Sequence, residues 1–456
     1  MNNIKFGTDG WRGIISENFT FKNVKIAAQA IADHVGAGKN VAIGYDTRFM
    51  SKDFAYLVGT VLSGNGINVF LSSTPTPTPM VSYFVRDRNM AGGVMITASH
   101  NPGIYNGVKF KEPQGCSSLP STTHKIELLL GKNTPKNSES LIKNIDMSDP
   151  YIKALKKYIS SGLMKQKKLK IVIDSMYGAG GYYLEEMLKL LGHKVFTIHG
   201  EPNPIFPGMN PEPIPANMKQ LSEKVIEVGA DIGIATDGDA DRVGIVDDRG
   251  NILTPHYVLS LLILHLKVNR KWSGAVVKTI SSTVLIDKIA EKYNMPVKET
   301  PVGFKYIAEL MLSSDILIGG EESGGNGFKN HIPERDGFLS GLLLVEMLCE
   351  RKKKLSYIIK DMENEFGAYN YKRIDLHVPR DNINRLFETL KNNPPKLLAG
   401  NKVTDIKTFD GTKFIFSDQS WLLIRASGTE PILRLYSEGK TKKQVAALIN
   451  AAQKLI

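Results

Sequence analysis

Gly93-Val94-Met95-Ile96, followed at once by Thr97-Ala98-Ser99-His100-Asn101-Pro102, is an apolar run that gives way to a polar, proline-ended loop. Such a run reads as a buried strand that delivers a loop at its end. The pattern recurs: Asp231 to Ala235 leads into Asp237-Gly238-Asp239-Ala240-Asp241-Arg242, and Ile316-Leu317-Ile318 leads into Gly319-Gly320-Glu321-Glu322-Ser323-Gly324-Gly325. Each of these strands follows an earlier strand and turn (Val41 to Arg48, Leu169 to Gly180, Ala275 to Thr283) and then a helical stretch. Alternation of this kind argues for α/β sandwiches that bind ligands at loops beyond the strand ends. From about Gly367 the pattern changes to short strands, a turn at Asp410-Gly411, and a helix from Thr441 to Leu455 with Val445, Leu448, Ile449 and Leu455 on one side. The expected fold class is therefore α/β: three consecutive α/β/α sandwich domains with mixed sheets, then a smaller C-terminal α+β domain. The expected boundaries are 1–147, 148–255, 256–366 and 367–456.

Each loop carries its own chemistry. Ser99 and His100 place a hydroxyl nucleophile and an imidazole on a proline-fixed turn, although a loop serine standing alone would more often be solvated or cap a helix. Asp237, Asp239 and Asp241 repel one another unless a cation neutralises them, and oxygen-only ligands suit a hard ion such as Mg²⁺. A calcium loop of the EF-hand type does not fit, because its sixth position would be Arg242 and its twelfth Asp248. In the third loop, glycines let backbone approach a ligand while Glu321 and Ser323 offer acceptors and a donor suited to sugar hydroxyls. A fourth loop, Arg425-Ala426-Ser427-Gly428-Thr429-Glu430-Pro431 with Arg434 close behind, forms a natural cradle for a phosphate dianion.

Composition sets bounds on function. At 456 residues the chain is too long for one ordinary core. Its two cysteines, Cys116 and Cys349, indicate no disulfide framework, and a reducing cytoplasm is the expected setting. Met1-Asn2-Asn3-Ile4-Lys5 lacks the apolar core of a signal peptide, and the stretch Tyr257 to Leu266 is too short to span a bilayer. A formal net charge of +12 raises the question of nucleic acid, but the basic residues are dispersed, with modest clusters at Lys165 to Lys170 and Arg351 to Lys354. No nucleic-acid or membrane partner is expected, and a positive field would draw in a phosphorylated sugar.

The four loops, together with Phe6-Gly7-Thr8-Asp9-Gly10-Trp11-Arg12-Gly13, Gly44-Tyr45-Asp46-Thr47-Arg48, Asp174-Ser175-Met176-Tyr177-Gly178-Ala179-Gly180, Lys278-Thr279 and Thr300-Pro301-Val302-Gly303-Phe304-Lys305, resemble the α-D-phosphohexomutases from end to end. The resemblance implies an active site in the central cleft. It also implies reversible transfer of a phosphoryl group between the 1- and 6-positions of a hexose phosphate, through a phosphoserine at Ser99 and a bisphosphosugar such as glucose 1,6-bisphosphate. Mg²⁺ would be held by Ser99, Asp237, Asp239 and Asp241. Lys109, which the residues alone read as an exposed strand lysine, becomes a proton acceptor or charge stabiliser, and Arg12 and Arg48 become contacts near the phosphoserine. His100 orients the loop. Glu321, Ser323 and Gly303 would meet the sugar, while Arg425, Ser427, Gly428, Thr429 and Arg434 would hold the phosphate that is not reacting. Arg242, Lys278, Lys305, His331 and Arg335 complete the expected site.

One departure bears on substrate. Phosphomannomutase-like and phosphoglucosamine-mutase-like members often place a histidine just after the Gly-Glu-x-Ser-Gly loop, where this chain has Gly325. Asn330-His331-Ile332-Pro333-Glu334-Arg335-Asp336-Gly337 instead resembles the glucose-preferring branch, with Arg335 at its basic position, and Glu322 leans the same way. The expectation is glucose phosphates with some turnover of mannose phosphates, by a monomer or homodimer. The alternatives are a phosphoglucosamine mutase, a metal-dependent sugar phosphatase and an inactive sugar-phosphate-binding protein.

Overall fold

The computed structural model describes residues 4–7, 9–427 and 432–456. Contacts divide the chain into two compact units, Met1–Gly274 with Phe304–Ile358, and Ala275–Gly303 with Ile359–Ile456. The expected third domain, 256–366, contributes to both.

In the first unit a six-stranded mixed sheet runs in the order Trp11–Ile14, Tyr105–Lys111, Gly92–Ile96, Asn40–Tyr45, Asn68–Ser72, Ile142–Ile145. Strand Gly92–Ile96 is parallel to Asn40–Tyr45 and antiparallel to Tyr105–Lys111, with Met95 opposite Lys109. Beyond the exposed Asn40, the central strands Asn40–Tyr45 and Gly92–Ile96 are buried and carry no charged residue, as expected of a sheet covered on both faces. Helix Phe21–Val35 begins where Thr20 accepts the Asn23 N–H and ends at Gly36. Its alanine-rich buried face packs into a core with Val41, Ile43, Phe54, Val58 and Val94.

A second sheet follows the order Val243–Asp247, Ile232–Thr236, Lys170–Asp174, Lys194–Ile198. Ile232–Thr236 is parallel to Lys170–Asp174 and antiparallel to Val243–Asp247, so the acidic segment 237–242 is the turn of a hairpin at the sheet's end. The third loop is likewise the turn between antiparallel strands Ile316–Gly320 and Asn326–Phe328. Helix Gly337–Arg351 is buried from Gly337 to Cys349, and Asp336 caps its start by accepting the Leu339 N–H. Tyr257 to Leu266, read as a buried helix, belongs to helix Pro255–Leu264 and a π-helical turn, His265–Asn269.

The second unit holds the parallel pair Ala275–Thr279 and Val297–Thr300. It also holds an antiparallel sheet ordered Asn370–His377, Ile432–Gly439, Trp421–Ala426, Thr412–Phe416, Asn401–Lys407, Leu397–Leu398. Helices Arg380–Asn392 and Lys442–Gln453 supply Ile383, Leu386, Leu390, Leu448 and Ile449 to its core. No described helix is long and apolar enough to cross a membrane.

Candidate active site

Ser99 follows strand Gly92–Ile96 in left-handed backbone, φ +52°. A non-glycine residue there costs about 1–3 kcal/mol and persists only when its surroundings hold it. Here they do: its N–H donates to Thr97 Oγ1 (2.8 Å), its hydroxyl donates to Asp237 Oδ2 (2.8 Å), and its carbonyl accepts from Arg48 (2.6 Å). The same guanidinium donates to the carbonyls of Asn101 (2.6 Å), Pro102 (2.8 Å) and Tyr105 (3.1 Å), and Asp46 lies 3.0 Å from it. Asp46 also accepts from Thr97 (2.6 Å) and Ser51 (2.7 Å). Arg48 is thus a clamp on the serine loop, and Asp46 anchors the clamp. Arg12 secures the far side of the loop through Asn101 Oδ1 (2.6 Å). His100 Nδ1 is 3.5 Å from the Ser99 hydroxyl, and burial, with Arg242 and Arg12 nearby, pushes its imidazole well down.

The acidic loop meets the serine loop through bare backbone. A Cβ on Gly238 would fall 2.4 Å from the Ser99 carbonyl oxygen, and one on Gly178 would fall 2.7 Å from the Gly238 oxygen. Ala179 N–H donates to that Gly238 oxygen (2.9 Å), so Asp174-Ser175-Met176-Tyr177-Gly178-Ala179-Gly180 backs the acidic turn.

Ligand oxygens of Asp237, Asp239 and Asp241 lie within 4.8 Å of one another, all buried. Asp237 Oδ1 accepts the Arg242 N–H (3.0 Å), while the Arg242 guanidinium sits 3.5 Å from Glu212. Asp239 Oδ2 accepts from Thr78 (2.6 Å) and Lys109 (2.8 Å), and Asp241 Oδ2 accepts from Arg335 (2.6 Å). Oδ1 of Asp239 and Oδ1 of Asp241 are buried with no hydrogen-bond partner. Burial, then Asp241 and Asp239, push the Asp237 carboxyl well up. Converging hard oxygens, two of them orphaned, fit a divalent cation of the Mg²⁺ kind.

Lys109 is buried on its strand, not exposed as an isolated strand lysine would be. Arg335 reaches Asp9 (2.7 Å), Asp241 (2.6 Å) and Glu321 (3.5 Å). Burial raises the Glu321 carboxyl to about 7 against the pull of Arg335, and the buried Ser323 hydroxyl has no partner, as a ligand-binding group would present. A Cβ on Gly325 would lie 2.2 Å from Arg335 Cδ. Glycine at 325 and arginine at 335 are one packing solution, in which the guanidinium stem fills the space of a side chain after the loop.

Two expected residues of this unit stand apart from the charged net. His331 bonds Asp336 (2.8 Å) within a cluster of Tyr83, Tyr151 and Tyr158. Lys305 sits over the Tyr306 ring at 5.2 Å.

In the second unit, Arg425 Nε donates to both Asp410 oxygens (2.9 Å each) and stands opposite Arg434, which lies 3.5 Å from Asp375. Ser427 N–H donates to the Ile432 carbonyl (2.8 Å); Gly428 and Thr429 lie outside the described residues. Lys278 donates to the Thr283 carbonyl (3.2 Å) and pairs with Asp287. Gly303 has φ +131°. Lys413 is buried 4.3 Å from the Trp421 ring centroid, donates to the Ile280 carbonyl (2.6 Å) and lies 3.6 Å from Glu299. Burial, and next Lys278, push its amine down to about 7.

Four family profiles match in chain order: phosphoglucomutase/phosphomannomutase alpha/beta/alpha domain I over residues 3–137, domain II over 149–250, domain III over 254–366 and the C-terminal domain over 382–454. The chain belongs to the phosphoglucomutase/phosphomannomutase family. A phosphoglucomutase/phosphomannomutase of Thermococcus kodakarensis is 33% identical, with 99% of this chain and 98% of that one covered. A phosphoglucosamine/phosphogalactosamine mutase of Sulfurisphaera tokodaii is 30% identical over the same shares, 99% and 98%. A crystal structure of a Thermus thermophilus protein assigned as a phosphomannomutase has 37% identity, a TM-score of 0.89, and coverage of 99% of this chain and 98% of the other.

This phosphohexomutase also contains residues that sequence reasoning quoted without singling out or passed over. Asp9 and Asp46 stand inside the quoted Phe6–Gly13 and Gly44–Arg48 motifs, each a short step from an arginine. Glu334 likewise stands in the Asn330–Gly337 stretch, while Thr78, Ser117 and Lys111 carry no local signal. Only their distant partners reveal them.

Proposed function

We propose that this protein interconverts the 1- and 6-phosphates of a hexose, glucose first and mannose to a lesser degree, through a phosphoryl group carried on Ser99. The observation that carries this reading is the bond from the Ser99 hydroxyl to Asp237 (2.8 Å), which joins the nucleophile to an acidic triad with two buried oxygens that accept no hydrogen bond. Phosphoryl transfer depends mainly on positioning and on charge placed at the transferring oxygens. Arg48, Asp46 and Arg12 fix the Ser99 loop, and Lys109 adds a fixed positive charge. A cation held by Asp237, Asp239, Asp241 and the Ser99 oxygen would neutralise charge on the group in transit.

The phosphoryl group passes from Ser99 Oγ to a sugar hydroxyl: the bond from phosphorus to Oγ breaks, one to the sugar oxygen forms, and the proton that the hydroxyl loses is balanced by the one the freed Ser99 oxygen takes up. The bisphosphorylated sugar, glucose 1,6-bisphosphate for glucose, turns over and returns its other phosphoryl group to Ser99. Glu321 and Ser323, with Gly303, meet the sugar hydroxyls. Arg425, Ser427, Gly428, Thr429 and Arg434 hold the phosphate at rest. The division into 1–147, 148–255, 256–366 and 367–456 belongs to this reading, as does a cytoplasmic setting, which suits the free cysteines Cys116 and Cys349.

Arg335 packed against Gly325 supports the glucose preference, because that pair replaces the histidine of mannose- and glucosamine-type loops. Glucosamine is the second reading, favoured by relatives such as the Sulfurisphaera tokodaii enzyme. Purified protein assayed with Mg²⁺ and trace glucose 1,6-bisphosphate against the 1-phosphates of glucose, mannose and glucosamine decides the matter. Fastest 6-phosphate formation from glucose is expected; a large preference for glucosamine overturns the substrate, and release of free phosphate without isomer overturns the mutase. Ser99→Ala should lower turnover by about three orders of magnitude or more with circular dichroism unchanged.

A further inference from the structure

Asp9 stands beside the acidic triad without belonging to it. Its Oδ2 is 2.8 Å from Lys109 Nζ and 2.7 Å from an Arg335 nitrogen. Both cations also lean the other way, Lys109 onto Asp239 Oδ2 (2.8 Å) and Asp241 Oδ2 (3.5 Å), Arg335 onto Asp241 Oδ2 (2.6 Å). Each is therefore shared between Asp9 and the triad. Asp9 is itself held from behind, since its Oδ1 accepts from Ser117 (3.1 Å), and Ser117 is fixed by the fully buried pair Lys111 and Glu334, which meet at 2.7 Å. Glu334 further accepts the Arg335 N–H (3.1 Å), so one buried network sets both Asp9 and the arginine it holds. Burial alone would raise the Asp9 carboxyl, but Lys109, Lys111, Arg335 and Arg12 hold it well below the usual range.

A divalent cation on the Oδ1 oxygens of Asp239 and Asp241 would sit beside Lys109 and Arg335, which hold the Oδ2 oxygens of the same carboxylates, and like charges repel at this range. The two side chains then need another counter-charge, or the cation must displace them unaided. Asp9 is already in contact with both. We infer that Asp9 is a positioning residue for cation binding: it draws Lys109 and Arg335 off Asp239 and Asp241, and Ser117, Lys111 and Glu334 keep it in place to do so. The inference rests on the triad being the cation site.

Outer partners of metal ligands commonly change affinity by about 10–100-fold when removed. Mn²⁺ binding by the full chain, followed by electron paramagnetic resonance and calorimetry without substrate, should weaken about tenfold in Asp9→Asn. If Asp9 acts through Lys109, the same change in a Lys109→Gln background should cost less than about threefold. Should Lys109→Gln fail to fold by circular dichroism, Arg335→Gln takes its place in the cycle. No Mn²⁺ binding by the wild type would remove the cation reading itself and this inference with it. Wild-type binding with Asp9→Asn unchanged would leave the triad standing and overturn the role of Asp9. A tenfold loss in both backgrounds would make Asp9 a plain nearby charge or a direct ligand, and would overturn it as well.

Discussion

Both units of this phosphohexomutase bury lysines, and two of these, Lys109 in one and Lys413 in the other, are driven in opposite directions. Lys109 in the first unit is surrounded by Asp9, Asp239 and Asp241, which more than offset burial and raise its amine above the ordinary value. Lys413 in the second unit is as thoroughly enclosed, but its near neighbours are a carbonyl, an indole face, one carboxylate and Lys278, and its amine falls to about 7. Burial is common to both. What differs is the supply of counter-charge, which makes the first lysine part of an ionic net and the second close to a neutral packing group.

Removing the two should separate them most clearly. Lys109→Met leaves buried carboxylates without their cation and should cost about 3–5 kcal/mol of stability in urea denaturation. Lys413→Met keeps the packing against Trp421 and loses the bond to Ile280 and the pair with Glu299, which Lys407 still holds, and should cost about 1 kcal/mol. Equal losses would abolish the contrast. An intermediate effect is expected at Gly325→Ala, where the new methyl meets the stem of Arg335 and should cost about 1–3 kcal/mol, with activity falling as the guanidinium shifts.

The same contrast carries a pH dependence, worth about 1.4 kcal/mol for each pH unit between the two values. Lys413 has a folded value of about 7 against 10.5 when unperturbed. Between those values the unfolded chain holds the proton and the folded one does not, so stability from this group rises as pH rises through the window and is at its lowest below pH 7. The difference in urea midpoint between wild type and Lys413→Met should therefore change steadily from pH 7 to pH 10, in favour of the wild type as pH rises. A flat difference would mean that Lys413 stays charged in the folded protein.

Much of the fold is legible in the chain because the switch from apolar strand to polar loop is local. Ser99, Asp237 and Glu321 each follow such a strand, and each lies where that reading puts it, at a strand end. The helix Arg380–Asn392 escaped because its apolar residues Ile383, Leu386 and Leu390 are set among charges and amides in a stretch read as short strands. The ionic net escaped for a different reason. Asp9 meets Lys109 and Arg335, and Lys111 meets Glu334, over separations of 100 residues or more, for which no local spacing gives a sign. His331 looks like a site residue in its Asn330–Gly337 stretch, yet tyrosines from elsewhere in the chain enclose it and Asp336 takes its nitrogen.

Where Gly178, Gly238 and the Ser99 carbonyl stack, the nucleophile loop and the acidic loop are separated by the thickness of a main chain. No side chain stands between them to act as a spring. A methyl group added at Gly238 is therefore passed on to the serine at nearly full amplitude, and the seam acts as a gauge that sets how far the reactive oxygen stands from Asp237. Variation that other loops absorb through rotamers has no such outlet here, and a designer wishing to retune this enzyme would do well to leave these two glycines until last.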